Sequence, residues 1–116
     1  MSDKKRITLV IGSGGIKCVA AAGLWRVLLE EGIEIDSVVG CSGGSMYGAL
    51  IADHVDENKM SDWSRTLWTS DIMSGYTESL KASKDGSLRF NEHSGLVDDT
   101  VMNRKLREVY GDMKFS

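Results

Sequence analysis

Proline is absent from the 116 residues, and cysteine occurs only twice, at Cys18 and Cys41. Two cysteines set in apolar sequence are too few for a disulfide scaffold, and neither has a CxxC partner. The two histidines, His54 and His93, lie far from both, so no zinc-ligand spacing is present and no metal or other cofactor is called for. Long hydrophobic runs are missing as well; none approaches the ~20 residues of a membrane span. Nor is there an excess of positive charge. A net charge of −3 and a pI near 5.3 argue against a nucleic-acid partner, which would select a basic patch. The single basic run, Lys4-Lys5-Arg6, reads as a solvated approach to a strand. It does not open a signal peptide, because the apolar stretch behind it is short and broken by glycine. Low-complexity linkers and internal repeats are absent too. With 41% hydrophobic residues, the expectation is one small globular domain or part of one, soluble and cytoplasmic.

What is present is a strand–turn–helix rhythm. Ile7 to Ile11 is a short β-branched apolar run ending at glycine, the pattern of a buried parallel strand. The turn Gly12-Ser13-Gly14-Gly15 follows. A helical stretch comes next, with Val19, Gly23, Val27 and Glu30 on one side and Ala20, Leu24 and Leu28 beside them, stopping at Gly32. Ile33-Glu34-Ile35 alternates, Ser37-Val38-Val39 runs into Gly40, and Met46, Tyr47, Leu50 and Ile51 fall at helical spacing. This is a βαβ unit, so the fold class is α/β with a right-handed parallel core and helices on both faces. Further on, Met60, Trp63, Leu67 and Trp68 predict a helix packed through its aromatic side. A turn is expected at Asp85-Gly86, with Lys81-Ala82-Ser83-Lys84 as polar turn sequence before it. Asp98 or Asp99 is placed to cap a last helix carrying Met102, Leu106, Val109 and Tyr110 and ending at Gly111. Lys114-Phe115-Ser116 suits the start of another strand. Two parallel strands alone make a poor sheet, so residues 1–116 are read as the N-terminal portion of a single larger domain.

The chemistry concentrates at Gly40-Cys41-Ser42-Gly43-Gly44. G-x-S-x-G between a strand and a helix is the pattern of a nucleophile elbow, whose tight turn needs glycine two positions either side of the serine. Centring the frame on Cys41 fails at Val39, and centring it on Ser45 fails at Tyr47; only Ser42 has both glycines, Gly40 and Gly44. Cys41 is therefore expected to be a buried small apolar residue. The competing structural reading is that the glycines serve helix–strand packing and Ser42 merely caps the helix. For the first glycine turn, a dinucleotide-binding βαβ domain is the alternative. It is weak, because Lys17 stands at the third glycine position and the second strand ends in Val39-Gly40-Cys41 without an acidic residue. A P-loop fails because Lys17 is neither preceded by glycine nor followed by Ser or Thr. In a parallel βαβ unit both turns lie at the carboxyl end of the sheet, where the Gly14 and Gly15 amides can face Ser42 and hold an oxyanion.

Ser13-Gly14-Gly15-Ile16-Lys17 after a first strand, then Ile35-Asp36 and Gly40-Cys41-Ser42-Gly43-Gly44, resembles the start of a patatin-like phospholipase domain. The likeness is dense from Ile7 to about Asp53 and continues faintly at Gly95-Leu96-Val97 and the helix through Leu106. It implies a three-layer fold and a lipid acyl hydrolase with a Ser–Asp dyad. Ser42 would be the nucleophile and Gly14 and Gly15 the oxyanion donors, with Lys17 in place of the motif's basic residue. The implied partner is a lipid or phospholipid, with transient contact to a membrane surface. Ser13 and Cys18 stand where that motif has glycine. The dyad aspartate of the family lies in a downstream Asp-Gly-Gly/Ala motif. Asp85-Gly86 is a poor match, since Ser87 follows and no strand precedes. His54, twelve residues beyond Ser42 on the same expected helix, is on the order of 18 Å away. His93 in Asn91-Glu92-His93-Ser94 reads as a solvated loop residue. The base is therefore expected beyond residue 116, and the isolated chain is expected to have little activity.

Overall fold

The computed structural model describes residues 3–85 and 100–114. Strand β1 (Arg6–Ile11) leads through a glycine turn into a 3-10 helix (Gly15–Val19), which passes directly into α1 (Ala20–Glu30). Strand β2 (Glu34–Gly40), α2 (Gly43–Ala52), α3 (Glu57–Leu67), α4 (Ser70–Asp85) and α5 (Thr100–Tyr110) follow. The chain divides into two compact units, Met1–Ser64 and Arg65–Ser116.

In the first unit β1 and β2 pair in parallel, so the α/β architecture expected from the sequence is present. Parallel neighbours need a crossover, and α1 supplies it. The register runs Ile7↔Ile35, then Thr8↔Ser37, Leu9↔Val38 and Val10↔Val39, so Asp36 is one extra residue in β2. A one-residue insertion shifts the alternation of every side chain after it. That is why Ile33-Glu34-Ile35 and Ser37-Val38-Val39 look in sequence like two runs out of phase. Arg6 holds the insertion with a 2.6 Å ion pair to Asp36.

One face of the pair is covered by α2. A Cβ at Gly48 would lie only 3.0 Å from Val38 Cγ1, so glycine lets the helix settle onto the strand. On the other face Val10 and Val39 are 70% and 55% exposed; no helix of this unit covers them. The core sits behind α2, where Tyr47, Leu50, Ile51 and Met60 are fully buried together with Trp25 and Trp63. Ser64 donates to Met60 O at 2.9 Å, so its oxygen accepts the proton of the Tyr47 hydroxyl at 2.8 Å. The Tyr47 and Trp63 rings meet edge to face at 5.4 Å.

Helix α1 turns its Trp25 side inward. Ala21, Ala22, Trp25 and Leu28 are buried, whereas Val19, Leu24 and Val27 are exposed. Trp25 decides the facing: it is the largest apolar group on the helix, and its indole N–H donates to Val55 O at 3.0 Å. The end of α1 is as expected. Gly32 takes φ 64°, and Ile33 N–H closes on Leu28 O at 3.0 Å, the left-handed cap that glycine accepts without cost.

In the second unit Leu67 and Ile72 are buried. Lys105 of α5, with a side chain 15% exposed, donates to Thr66 O at 2.7 Å and to the Thr69 hydroxyl, and pairs with Asp71 at 3.7 Å. Thr69 in turn donates to Asp71. That hydroxyl bond, with help from Lys105, holds the Asp71 carboxyl below its ordinary 3.8 although desolvation opposes it. The stretch Lys81 to Lys84 is helical, inside α4, not a turn. Its Lys-Ala-Ser-Lys composition contains no helix breaker, and a helix of 16 residues already under way extends through it. Helix α5 ends as expected at Gly111, with φ 50° and its N–H on Arg107 O at 3.0 Å. The Asp98/Asp99 cap, Gly95-Leu96-Val97 and the strand opened by Phe115 fall outside the described residues.

Candidate active site

The turn between β2 and α2 is built on two glycines that no other residue could replace. A Cβ on Gly40 would stand 2.5 Å from Ser45 Cα, and one on Gly44 would stand 2.3 Å from Ile11 O and 2.5 Å from Gly12 O. With both side chains absent, the chain reverses within a few residues. Cys41 N–H extends the ladder to Ile11 O at 3.0 Å, Gly44 N–H returns to Cys41 O at 2.9 Å, and Ser45 N–H to Ser42 O at 2.9 Å. The strain collects on Ser42, at φ 53° and ψ −126°. A residue with a Cβ holds that conformation only where its surroundings impose it.

Ser42 occupies the N-cap position of α2, but its side chain makes no capping hydrogen bond. The alternative in which Ser42 serves as a helix cap therefore has no counterpart in the geometry. The residue is exposed, at the positive end of a ten-residue helix whose first amide, that of Gly43, has no helical carbonyl before it to bond. In the sequence, Gly43 is marked only as a small residue directly after the serine.

The glycine turn lies against this elbow, backbone to backbone. The Cβ position of Gly43 falls 3.0 Å from Gly15 O and 3.3 Å from Gly15 N. Gly15 itself takes φ 55°, and the 3-10 helix it opens is started by Lys17 N–H bonding Gly14 O at 3.1 Å. Gly14, just before it, stands at φ 167° and ψ 9°. The structure thus brings Gly14 and Gly15 to the same end of the sheet as Ser42, as the parallel topology requires. Ser13 and Lys17 are exposed, and Lys17 forms no ion pair among the described residues. Cys18 is buried, and its thiol faces Gly12 O at 3.5 Å. Cys41 is exposed, contrary to the expectation of burial. It lies in the turn past the last residue of β2, where the chain has left the packed sheet.

His54 is not on α2. The helix stops at Ala52, and His54 follows it at φ 55°, its ring 6.1 Å from that of Trp25. A ten-residue helix separates it from Ser42, about 15 Å by helical rise, so it takes no part in this site. Asp85 is the last residue of α4, while Gly86 and His93 lie outside the described residues. Among the described residues no group of three His, Cys, Asp or Glu side chains converges to hold a metal, and no helix is long and apolar enough to cross a membrane.

Comparison with known proteins finds relatives of this chain. Over 52 residues the chain is 48% identical to a lysophospholipase of Pyricularia oryzae, covering 45% of this chain and 4% of that protein. It is 43% identical over 61 residues to a patatin-like phospholipase domain-containing protein of Caenorhabditis elegans, covering 49% of this chain and 4% of that one. An NTE family protein of Mycobacterium bovis is 31% identical over 101 residues, 86% of this chain and 27% of the relative. The chain therefore spans only a small part of the curated relatives it matches. No solved structure matches. The model of the patatin-like phospholipase family matches residues 9–116, nearly the whole sequence, and the chain belongs to that family.

Proposed function

We propose that this chain carries the nucleophile and oxyanion half of a lipid acyl hydrolase. The observation that carries the reading is Ser42: exposed, strained at φ 53° and ψ −126°, free of any capping role, and set at the start of α2. The Ser42 hydroxyl attacks the acyl carbonyl carbon as its proton passes to an aspartate base supplied from outside residues 1–116. The tetrahedral oxyanion is held by the amides of Gly14 and Gly15, aided by the positive end of α2. Collapse expels the alcohol, which takes up the proton, and leaves the acyl group on Ser42. Water then attacks the acyl-enzyme, releasing a fatty acid and restoring the serine. Lipid as substrate class is supported by family membership and by the lysophospholipase relative. Exposed Ile16 and Val19, either side of exposed Lys17 beside the glycine turn, suit a transient contact with a lipid surface bearing anionic head groups.

The test uses the full-length protein containing this chain. A fluorophosphonate probe is expected to label it at Ser42, and hydrolysis of a p-nitrophenyl ester is expected to accompany labelling. Ser42→Ala removes both. Labelling or turnover that survives Ser42→Ala overturns the assignment. Residues 1–116 alone are expected to show little or no turnover, because no Asp-Gly-Gly/Ala motif lies among them.

A further inference from the structure

The sulfur of Cys18 touches both halves of the site. It is 3.5 Å from Gly12 O, 3.5 Å from the Cβ position of Gly14, and 3.0 Å from that of Gly43. Two of these glycines belong to the glycine turn and the third follows Ser42 in the elbow. The residue is 7% exposed. These three contacts are all with glycines, so at each of them backbone rather than a side chain meets a change of volume. In a close-packed interior such a change is passed to whatever is able to move. Here that is the backbone carrying the amides.

We infer that Cys18 is a positioning residue whose thiol sets the separation between the glycine turn and the nucleophile elbow. The inference rests on the acyl-hydrolase reading of Ser42 and deepens it. A thiol hydrogen is a weak donor, so the bond to Gly12 O adds little; the sulfur acts through its size and polarizability. Removing it leaves a void that the two turns close by moving together. Enlarging it drives Gly43 away from Gly15. Either movement displaces amides that must meet an oxyanion, and a misplacement of ~1 Å costs roughly 100-fold in rate. Substrate binding, by contrast, draws on acyl-chain contacts that Cys18, shut inside, does not make.

The experiment compares wild type, Cys18→Ala, Cys18→Val and Cys18→Ser in the full-length protein. It reads the rate constant for fluorophosphonate labelling of Ser42, kcat and KM for a p-nitrophenyl ester, and the fraction folded by circular dichroism. Expected are losses of about 10- to 100-fold in labelling rate and kcat for Ala and Val, with KM held within about twofold. Cys18→Ser, which keeps a γ atom but a smaller one, falls between wild type and Cys18→Ala. Wild-type labelling and kcat per folded molecule in the Ala and Val variants overturn the inference, even if their melting temperatures fall. Should Cys18→Val not fold, Cys18→Ala decides alone. If wild-type protein is not labelled at all, the hydrolase reading fails and the positioning role falls with it. That outcome is distinct from labelled wild type with unaffected variants.

Discussion

Helix α2 is entered through Ser42 at φ 53° and left through His54 at φ 55°, the two non-glycine residues with positive φ among those described. At the exit the unusual backbone is compensated on every side. His54 N–H bonds Ile51 O at 3.0 Å, Val55 N–H bonds Leu50 O at 3.0 Å, and Val55 O receives the Trp25 indole. The imidazole then lies beside the Trp25 ring. This is a helix stop made with a residue other than glycine, held by its own neighbourhood. At the entrance the carbonyl of Ser42 is engaged by Ser45 N–H and by the Ser45 hydroxyl, while the Ser42 side chain is left out of the capping. The same sign of φ serves closure at one end and presentation at the other. What separates them is where the side chain goes.

Substitutions at each end sharpen that contrast. Ser42→Gly has the largest effect: ester hydrolysis by the full-length protein should fall by about four orders of magnitude or more. Its stability should rise by about 1 kcal/mol as backbone strain is relieved, read by denaturant unfolding. A loss of stability would show that the elbow is not strained. Gly44→Ala comes next. Its methyl has nowhere to go but the Ile11 and Gly12 carbonyls, and forced repacking of this kind costs roughly 3 kcal/mol. The measurement is the same unfolding curve, and a cost below about 1 kcal/mol would break the account of the turn.

At the other end, His54→Ala should cost about 1 kcal/mol through the lost ring contact. It should leave the labelling rate of Ser42 unchanged; a slower rate would make the two ends of α2 one functional unit. The smallest effect belongs to the second unit. Because the Asp71 carboxyl is held below 3.8 in the folded chain, its contribution to stability is present above that value and is lost as pH falls through the lower, folded one. Asp71→Asn should therefore lower the melting temperature slightly at pH 7. The difference from wild type should shrink once the pH drops below 3.8.

Much of the first unit was legible in the sequence because glycine is an unambiguous signal there. Gly32, Gly40 and Gly44 each mark a place where a side chain would clash or a positive φ is required, and each falls where the pattern placed it. Facing was harder to read. The apolar residues of α1 cover most of its circumference, and periodicity alone did not show that Trp25 would outrank Val19, Leu24 and Val27. The exposure of Cys41 was hidden because its apolar flanks resemble the strand it has just left. In the second unit, Lys-Ala-Ser-Lys carries no periodic apolar signal, so its helical state depends on the helix already formed before it. The catalytic base had no matching motif within the chain.

The insertion at Asp36 bears on how the elbow came to face as it does. Counting from Ile35, Val38 would point away from α2 if the strand kept strict time; the extra residue changes odd to even and turns it inward, opposite Leu9. Everything beyond inherits that change of parity, including the residue at which the strand releases the chain toward Ser42. Replacing Asp36 sacrifices an exposed ion pair, whereas deleting it would remove the bulge and leave Ser37, Val38 and Val39 opposite Thr8, Leu9 and Val10 in unbroken alternation.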